Sequence, residues 1–319
     1  MGRITAADIG LVINTADPYS EQVGAYYIDK RRLKENQVLR LALPVRATLT
    51  PEEFADLKRQ IDDHFGPKVQ ALALAWTQPY AVQCNAITGA LALGFDPELC
   101  RQTCGRSRPS PYFNAATSRP YTDKGLRLAM LLAASDVAQA KALVDRGVAA
   151  DRSLGWRGAP PVTAYYLSTQ DAARNVRARL YPPVGLMRRQ GVQVQVEQGD
   201  ALTEKDRLLL AETGLAKVDG LERLHWVDGA LADHLTSFGG QLDRQGGQTT
   251  ALAWIASGAT ASYGTVTEPC NHLQKFPHPQ LLLLHYLQGS SAIEAYWKSV
   301  AWPQQGVFVG EPLAAPFAR

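Results

Sequence analysis

Long apolar runs are missing from this chain. Its two longest mostly apolar stretches, 126–134 and 281–287, fall well short of the roughly 20 residues a membrane-spanning helix needs, so no membrane span is expected. Charge of one sign is missing too. Thirty-three Lys and Arg stand against 30 Asp and Glu, a net +3. That balance is too mild to recruit nucleic acid by bulk electrostatics, and no nucleic-acid partner is expected. Several short motifs are also absent: a G-x-G-x-x-G after the first strand signal, a Walker A lysine loop, H-E-x-x-H and a G-x-S-x-G elbow. Nicotinamide redox chemistry and nucleotide hydrolysis therefore fit poorly, and no cofactor is expected.

Cysteine is scarce, with only Cys84, Cys100, Cys104 and Cys270. The spacing Cys100-x-x-x-Cys104 is not the usual metal-binding C-x-x-C, and no second pair accompanies it, so no metal is expected. Two readings stay open. The cysteines are small buried hydrophobes, or they form two disulfides in one of three pairings, which requires an oxidising compartment. Three of them fall in one irregular, proline-bearing segment, 77–125. A segment of that kind buries little core of its own, so at least one disulfide among Cys84, Cys100 and Cys104 is expected. The N-terminus shows no leader-like segment. That fits either a cytoplasmic chain or the processed form of an exported one.

What is present is a globular composition. Of 319 residues, 46% are hydrophobic, enough to bury a sizeable core. Strand and helix signals alternate from the start. Apolar runs at 9–14, 38–43 and 69–76 read as strands. Between them lie helical stretches at 20–33 and from Thr50-Pro51-Glu52-Glu53 onward, the latter opening on a capping-box pattern. Segment 77–125 breaks the alternation and reads as a solvated insert. Its many arginines also suit an anion-contacting loop. A strand at 127–134 and a helix at 136–146 come next. The Gly- and Pro-rich stretch 155–161 divides the chain into an N-terminal half, 1–155, and a C-terminal half, 156–319.

The second half repeats the pattern. Strands are expected at 162–167, 192–196, 221–226, 259–267 and 307–309. Residues 192–196 alternate strictly, as a strand with one wet face does. Ser168 and Asp171 cap a basic helix, and 233–238 begins another. The fold expected is three-layer α/β, with doubly wound, mainly parallel sheets in two similar halves. A single continuous sheet is the alternative.

Polar residues gather in the last third. Asp228 comes just after the expected strand 221–226, with Asp233 and His234 close behind. Glu268, Cys270 and His272 come just after the strand 259–267. In an open parallel sheet, residues just past the strands' carboxyl ends share the edge where ligands bind. These six residues are the candidate binding set, with Trp226 and Tyr263 as apolar walls. Each also has a structural role open to it: Asp233 as a helix cap, Glu268 as acceptor for a tight turn. Cys270 with His272 or His234 is the one Cys/His pairing close in sequence, with Asp228 or Glu268 as orienting carboxylate.

The stretches Gly229-Ala-Leu-Ala-Asp-His-Leu-Thr-Ser-Phe-Gly-Gly240 and Gly258-Ala-Thr-Ala-Ser-Tyr-Gly-Thr-Val-Thr-Glu-Pro269 carry a resemblance over nearly the whole chain. So do Lys275-Phe-Pro, Glu294-Ala-Tyr-Trp297, Gly310-Glu-Pro-Leu313, Val12-Ile-Asn14 and Ser20. They resemble a bacterial family of exported proteins, found largely in bacteria with exosortase-type sorting systems, whose chemistry is not established. The segment order is more distantly similar to gingipain-like cysteine peptidases of the caspase-like fold. In those, a strand ending His-Gly supplies the base and the next strand delivers the cysteine. A Gly-Ala strand then lines the specificity pocket, and a Gly-Asp-Pro-x-Leu motif closes the fold. Here Gly258-Ala259 to Gly264 resembles the pocket strand and Gly310 to Leu313 the close. At the His-Gly position this chain has Glu212-Thr213-Gly214, and at the cysteine position Val227-Asp228-Gly229. The resemblance thus implies an extracytoplasmic peptidase-like protein, periplasmic or secreted, without the inherited Cys/His pair. Its carboxyl edge would bind a peptide or glycan. The alternative is a hydrolase that uses Cys270.

Overall fold

The computed structural model describes residues 2–319. The chain runs β1 (Ile9–Asn14), α1 (Pro18–Arg31), β2 (Val38–Leu41), β3 (Thr48–Leu49), α2 (Pro51–His64), β4 (Ala71–Leu74), β5 (Ala81–Val82), β6 (Asn85–Ala86) and α3 (Ile87–Leu93). Next come α4 (Pro97–Arg101), α5 (Pro120–Lys124), β7 (Leu128–Leu131), α6 (Val137–Ala150), β8 (Val162–Ser168), β9 (Gly185–Met187), β10 (Val192–Gln198) and β11 (Lys205–Thr213). The last elements are β12 (Leu224–His234), α7 (Ala251–Ser257), β13 (Ala261–Thr265), α8 (Pro279–Leu287), α9 (Ala292–Ser299) and β14 (Gly306–Gly310).

Eleven strands form one sheet in the order β2-β1-β4-β7-β14-β13-β12-β11-β8-β10-β9. β1, β2, β4 and β7 pair in parallel, and so do β10, β8, β11, β12 and β13. β14 lies antiparallel to β13 and touches β7 through Val309 and Leu131. The two series of strands therefore share a continuous sheet, flanked by helices. β1, β4, β7, β13 and β14 are buried at every position, which is why their sequences are apolar throughout rather than alternating. β10 sits next to the edge. Val192 and Val194 are buried while Gln193 and Gln195 are half-buried, as their alternation indicates.

Local signals explain most boundaries. Thr50 and Glu53 close a capping box at α2, and Ser291 and Glu294 do the same at α9. Four expectations are corrected. The basic helix after Ser168 is a short 3-10 turn, Asn175–Leu180. Residues 221–223 are also a 3-10 turn, and β12 begins only at Leu224. The helix expected at 233 does not form, because β12 continues through His234. Segment 77–125 is not merely solvated. Its helix α3 is buried: Thr88 donates to the Gly306 carbonyl, and a Cβ on Gly89 would meet the backbone of 303–304 at under 3 Å.

β12 reaches its length through an irregularity. Its register with β11 jumps from Leu208 opposite Trp226 to Leu210 opposite Leu231, so residues 227–230 bulge, with Gly229 at φ +85°. A bulge inserts residues without ending the strand. Residues 231–234 are therefore strand interior, not loop.

Candidate functional site

The carboxyl ends of β11 and β12 form the centre of the candidate site. Glu212 pairs with Asp233 and Thr213 with His234. On one side Tyr166 of β8 lies beside Glu212, and on the other Tyr263 of β13 lies beside Asp233. Side chains at one level on adjacent parallel strands point to the same face. Tyr166, Glu212, Asp233 and Tyr263 thus form a row across four strands, and all four are buried.

Two carboxyl groups in an apolar sheet require a cation. Arg177, reaching in from the 3-10 turn, supplies it. Its guanidinium donates to Asp233 Oδ1 at 2.5 Å, lies 3.6 Å from Glu212 Oε1, and donates to the Thr213 and Pro277 carbonyls. Burial pushes the Glu212 carboxyl well above its usual range, and the neighbouring Asp233 adds to the shift, while Arg177 opposes it. Burial also raises Asp233, against the pull of Arg177. With one guanidinium shared by two carboxyls, the direct hydrogen bond from Arg177 favours the charge on Asp233, and Glu212 is pushed up the further of the two. Tyr166 is driven well above its ordinary value by burial, then by Glu212.

His234 points to the opposite face. Its Nδ1 accepts a hydrogen bond from Trp254 Nε1 at 2.9 Å. Burial lowers its pKa to about 3, helped by the charge of Arg177. The ring is therefore a neutral, buried structural group rather than an accessible base.

Above this layer, a cleft of about 250 Å³ opens at the same edge, lined by Arg174, Thr236, Ser237, Glu268 and Asn271 among others. Arg174 is held by Asp171 and donates to Thr236 Oγ1. Glu268 Oε1 accepts from the Cys270 backbone N–H, the tight-turn role open to it in the sequence. Cys270 and Asn271 both take left-handed backbone angles, φ +58° and +45°.

The structure brings only part of the candidate set together. Glu268 and Cys270 line the cleft, and Asp233 and His234 are buried at the strand ends. Asp228 is displaced. It lies exposed in the β12 bulge, five residues before Asp233, with its charge near Arg146. Glu268, by contrast, lies beyond the other end of β13. His272 is exposed and leans on Trp302, with ring centroids 6.0 Å apart. Trp226 packs edge-on to Trp254 near the bulge and walls no part of this cleft. Asp233 is no helix cap.

Cys270 is no free nucleophile. It is bonded to Cys104, and Cys84 is bonded to Cys100, so all four cysteines are paired. The Cys84–Cys100 bond meets the expectation for the insert. The other bond crosses 166 residues of sequence and fastens the insert to the cleft rim.

Arg177, Glu212 and Arg174 went unseen as site residues in the sequence. A usable signal was present. Glu212 and Asp233 each sit in an otherwise apolar run, LLLAET and GALADH, where an acid needs a buried partner.

Comparison with solved structures finds the Arg-specific cysteine proteinase gingipain R, 11% identical, covering 97% of this chain and 78% of that one, with a TM-score of 0.52. A second structure, described as a protease, is 9% identical and covers 98% of this chain and 79% of that one, with a TM-score of 0.50. At these identities the likeness is one of fold, and the fold is caspase/gingipain-like. No protein-family model and no curated protein matches the chain.

Proposed function

We propose that this chain is a binding protein on a peptidase-like fold, holding a peptide segment in the carboxyl-edge cleft without cutting it. One observation carries the reading. Where the similar peptidases place a base and a thiol at successive strand ends, this chain has Glu212-Thr213-Gly214 and Asp233-His234-Leu235. The acids are buried with Arg177, His234 is neutral, and the four cysteines are all disulfide-bonded. Segment order alone implies Val227-Asp228-Gly229 for the cysteine position, and the end of β12 is the alternative; neither offers a thiol. A thiol locked in a disulfide cannot attack a carbonyl.

Two solved structures of similar fold are proteases, whose ligands are polypeptides, and this supports a peptide over a glycan here. Arg174 and Glu268 at the rim offer one charge of each sign, which suits a chain of mixed polarity. The disulfides support an oxidising compartment, periplasmic or secreted. That agrees with the resemblance to exported, exosortase-associated proteins.

The test uses the oxidised protein with a random fluorogenic peptide library and iodoacetamide. No hydrolysis and no alkylation are expected. Library peptides should bind in a way that Ala173→Trp, at the exposed rim of the cleft, abolishes. Hydrolysis that disappears in Cys270→Ala, with the circular dichroism spectrum unchanged, would make the protein an enzyme.

A further inference from the structure

A larger cavity, about 460 Å³, lies apart from this cleft. It sits where β1, β4 and β7 end, and is lined there by Asp17, Gln78 and Ser135. Its other wall comes from the loop 235–250, through Arg244 and Gln245. β1 pairs with β2 on one side and with β4 on the other. The chain reverses its winding direction at that point, and crevices at such switch points are where open α/β sheets bind ligands.

We infer that this cavity is a site for a neutral saccharide. Its volume falls within the range of small-molecule sites. Its polar groups are mixed. The two glutamines and the serine each donate and accept, Asp17 only accepts, and Arg244 only donates. One acid and one base give no net charge to select an ionic ligand. Tyr19, Leu242 and Leu252 add modest apolar surface, enough for the C–H face of a sugar ring. A ligand dense in hydroxyls, uncharged and apolar on one face matches that lining.

A peptide would bring its own unpaired main-chain N–H and C=O groups, and the choice between it and a sugar is left to the contrast probes below. The frame around the cavity is tied down. Tyr19 donates to the Leu132 carbonyl and accepts from the Ala134 N–H. Thr77 donates to the Ala134 carbonyl. Tyr80 donates to Asp243, fastening the loop 235–250 to the β4 side. A pre-formed wall of this kind lowers the ordering cost of binding. The saccharide site is independent of the peptide cleft, and either stands if the other fails.

The test is saturation-transfer NMR with calorimetry. The probes are cellobiose, maltose, lactose and N,N′-diacetylchitobiose, with a uronic-acid disaccharide and a mixed tetrapeptide pool as contrasts. At least one neutral disaccharide should bind. Ser135→Trp, at an exposed position on the rim, should weaken it by about tenfold or more, and Gln78→Ala should weaken it through lost hydrogen bonds. Ala173→Trp, in the other cleft, should leave it unchanged. The inference is overturned if no neutral disaccharide binds, or if binding is unaltered in Ser135→Trp with the fold intact by circular dichroism. Preference for the uronic acid or the peptides, blocked by Ser135→Trp, would also overturn it.

Discussion

Replacing Arg177 with Met isolates the role of the buried guanidinium, because Met keeps most of the volume and removes the charge. Two costs arise from the lost contacts. The carbonyls of Thr213 and Pro277 each lose a donor, at about 1 kcal/mol apiece regardless of pH. Asp233 then has two choices. It stays ionised and unpaired in the interior, at about 3–5 kcal/mol, or it takes up a proton. With an unfolded pKa near 3.9, protonation at pH 7 costs about 4 kcal/mol, but at pH 5 only about 1.5. The cheaper route prevails, so the variant should be destabilised by about 6 kcal/mol at pH 7 and about 3.5 at pH 5. The sign is that of a carboxyl whose folded pKa is raised. The folded variant binds a proton the unfolded chain does not, so its relative stability is lost as pH rises. Urea unfolding with the disulfides intact, monitored by far-UV circular dichroism at pH 5, 6 and 7 beside wild type, measures this. A destabilisation that does not change with pH would show that Asp233 carries no charge in the native protein and would sink the ion-pair assignment.

Two further outcomes are expected. His234 is protonated in the unfolded chain below about pH 6.5 but stays neutral when folded until about pH 3. It should therefore erode stability across that window as pH falls. His234→Gln, which keeps an acceptor for Trp254, should flatten the acid limb of a stability–pH curve by about 1.4 kcal/mol per unit, and an unchanged slope would contradict this. In Gly264→Ala the new Cβ would lie 2.3 Å from the Gly239 carbonyl carbon and 2.4 Å from the Gly240 nitrogen. Backbone must then move, so a loss of roughly 2–3 kcal/mol is expected in chemical denaturation. A neutral result would mean that the loop 235–250 is free to lift.

Local rules make much of this fold legible in its sequence. The runs at 9–14, 162–167 and 259–267 became strands because a strand buried on both faces has no choice but to be apolar. Thr50 began a helix because its hydroxyl accepts from the Glu53 N–H, and Ser291 because its N–H and hydroxyl both donate to the Glu294 carboxylate. The site was harder to read, for a physical reason. Asp228, Asp233 and His234 look alike as polar residues after an apolar run. Once the strand runs on through His234, the buried carboxyl of Asp233 needs Arg177, 56 positions earlier in the chain. No local pattern reports that partner. The Cys104–Cys270 bond is invisible for the same reason, since spacing along the chain says nothing of proximity across 166 residues. The resemblance to gingipain-like peptidases supplied the fold, whereas the bulge that carries β12 on to His234 is not a feature that segment order reports.

The position of β14 bears on how the molecule is made. It is the last strand of the sheet to leave the ribosome, yet it takes a central slot between β13 and β7, under the stacked ring of Trp297 on Phe308. Until it arrives, the strands already synthesised have an unfilled gap in their middle, with backbone N–H and C=O groups exposed on either flank. Such open edges pair readily with other chains. The step that joins the two series of strands therefore follows the synthesis of every other strand in the sheet. A nascent chain stalled before residue 306 is a species that a chaperone must shield and a protease can reach.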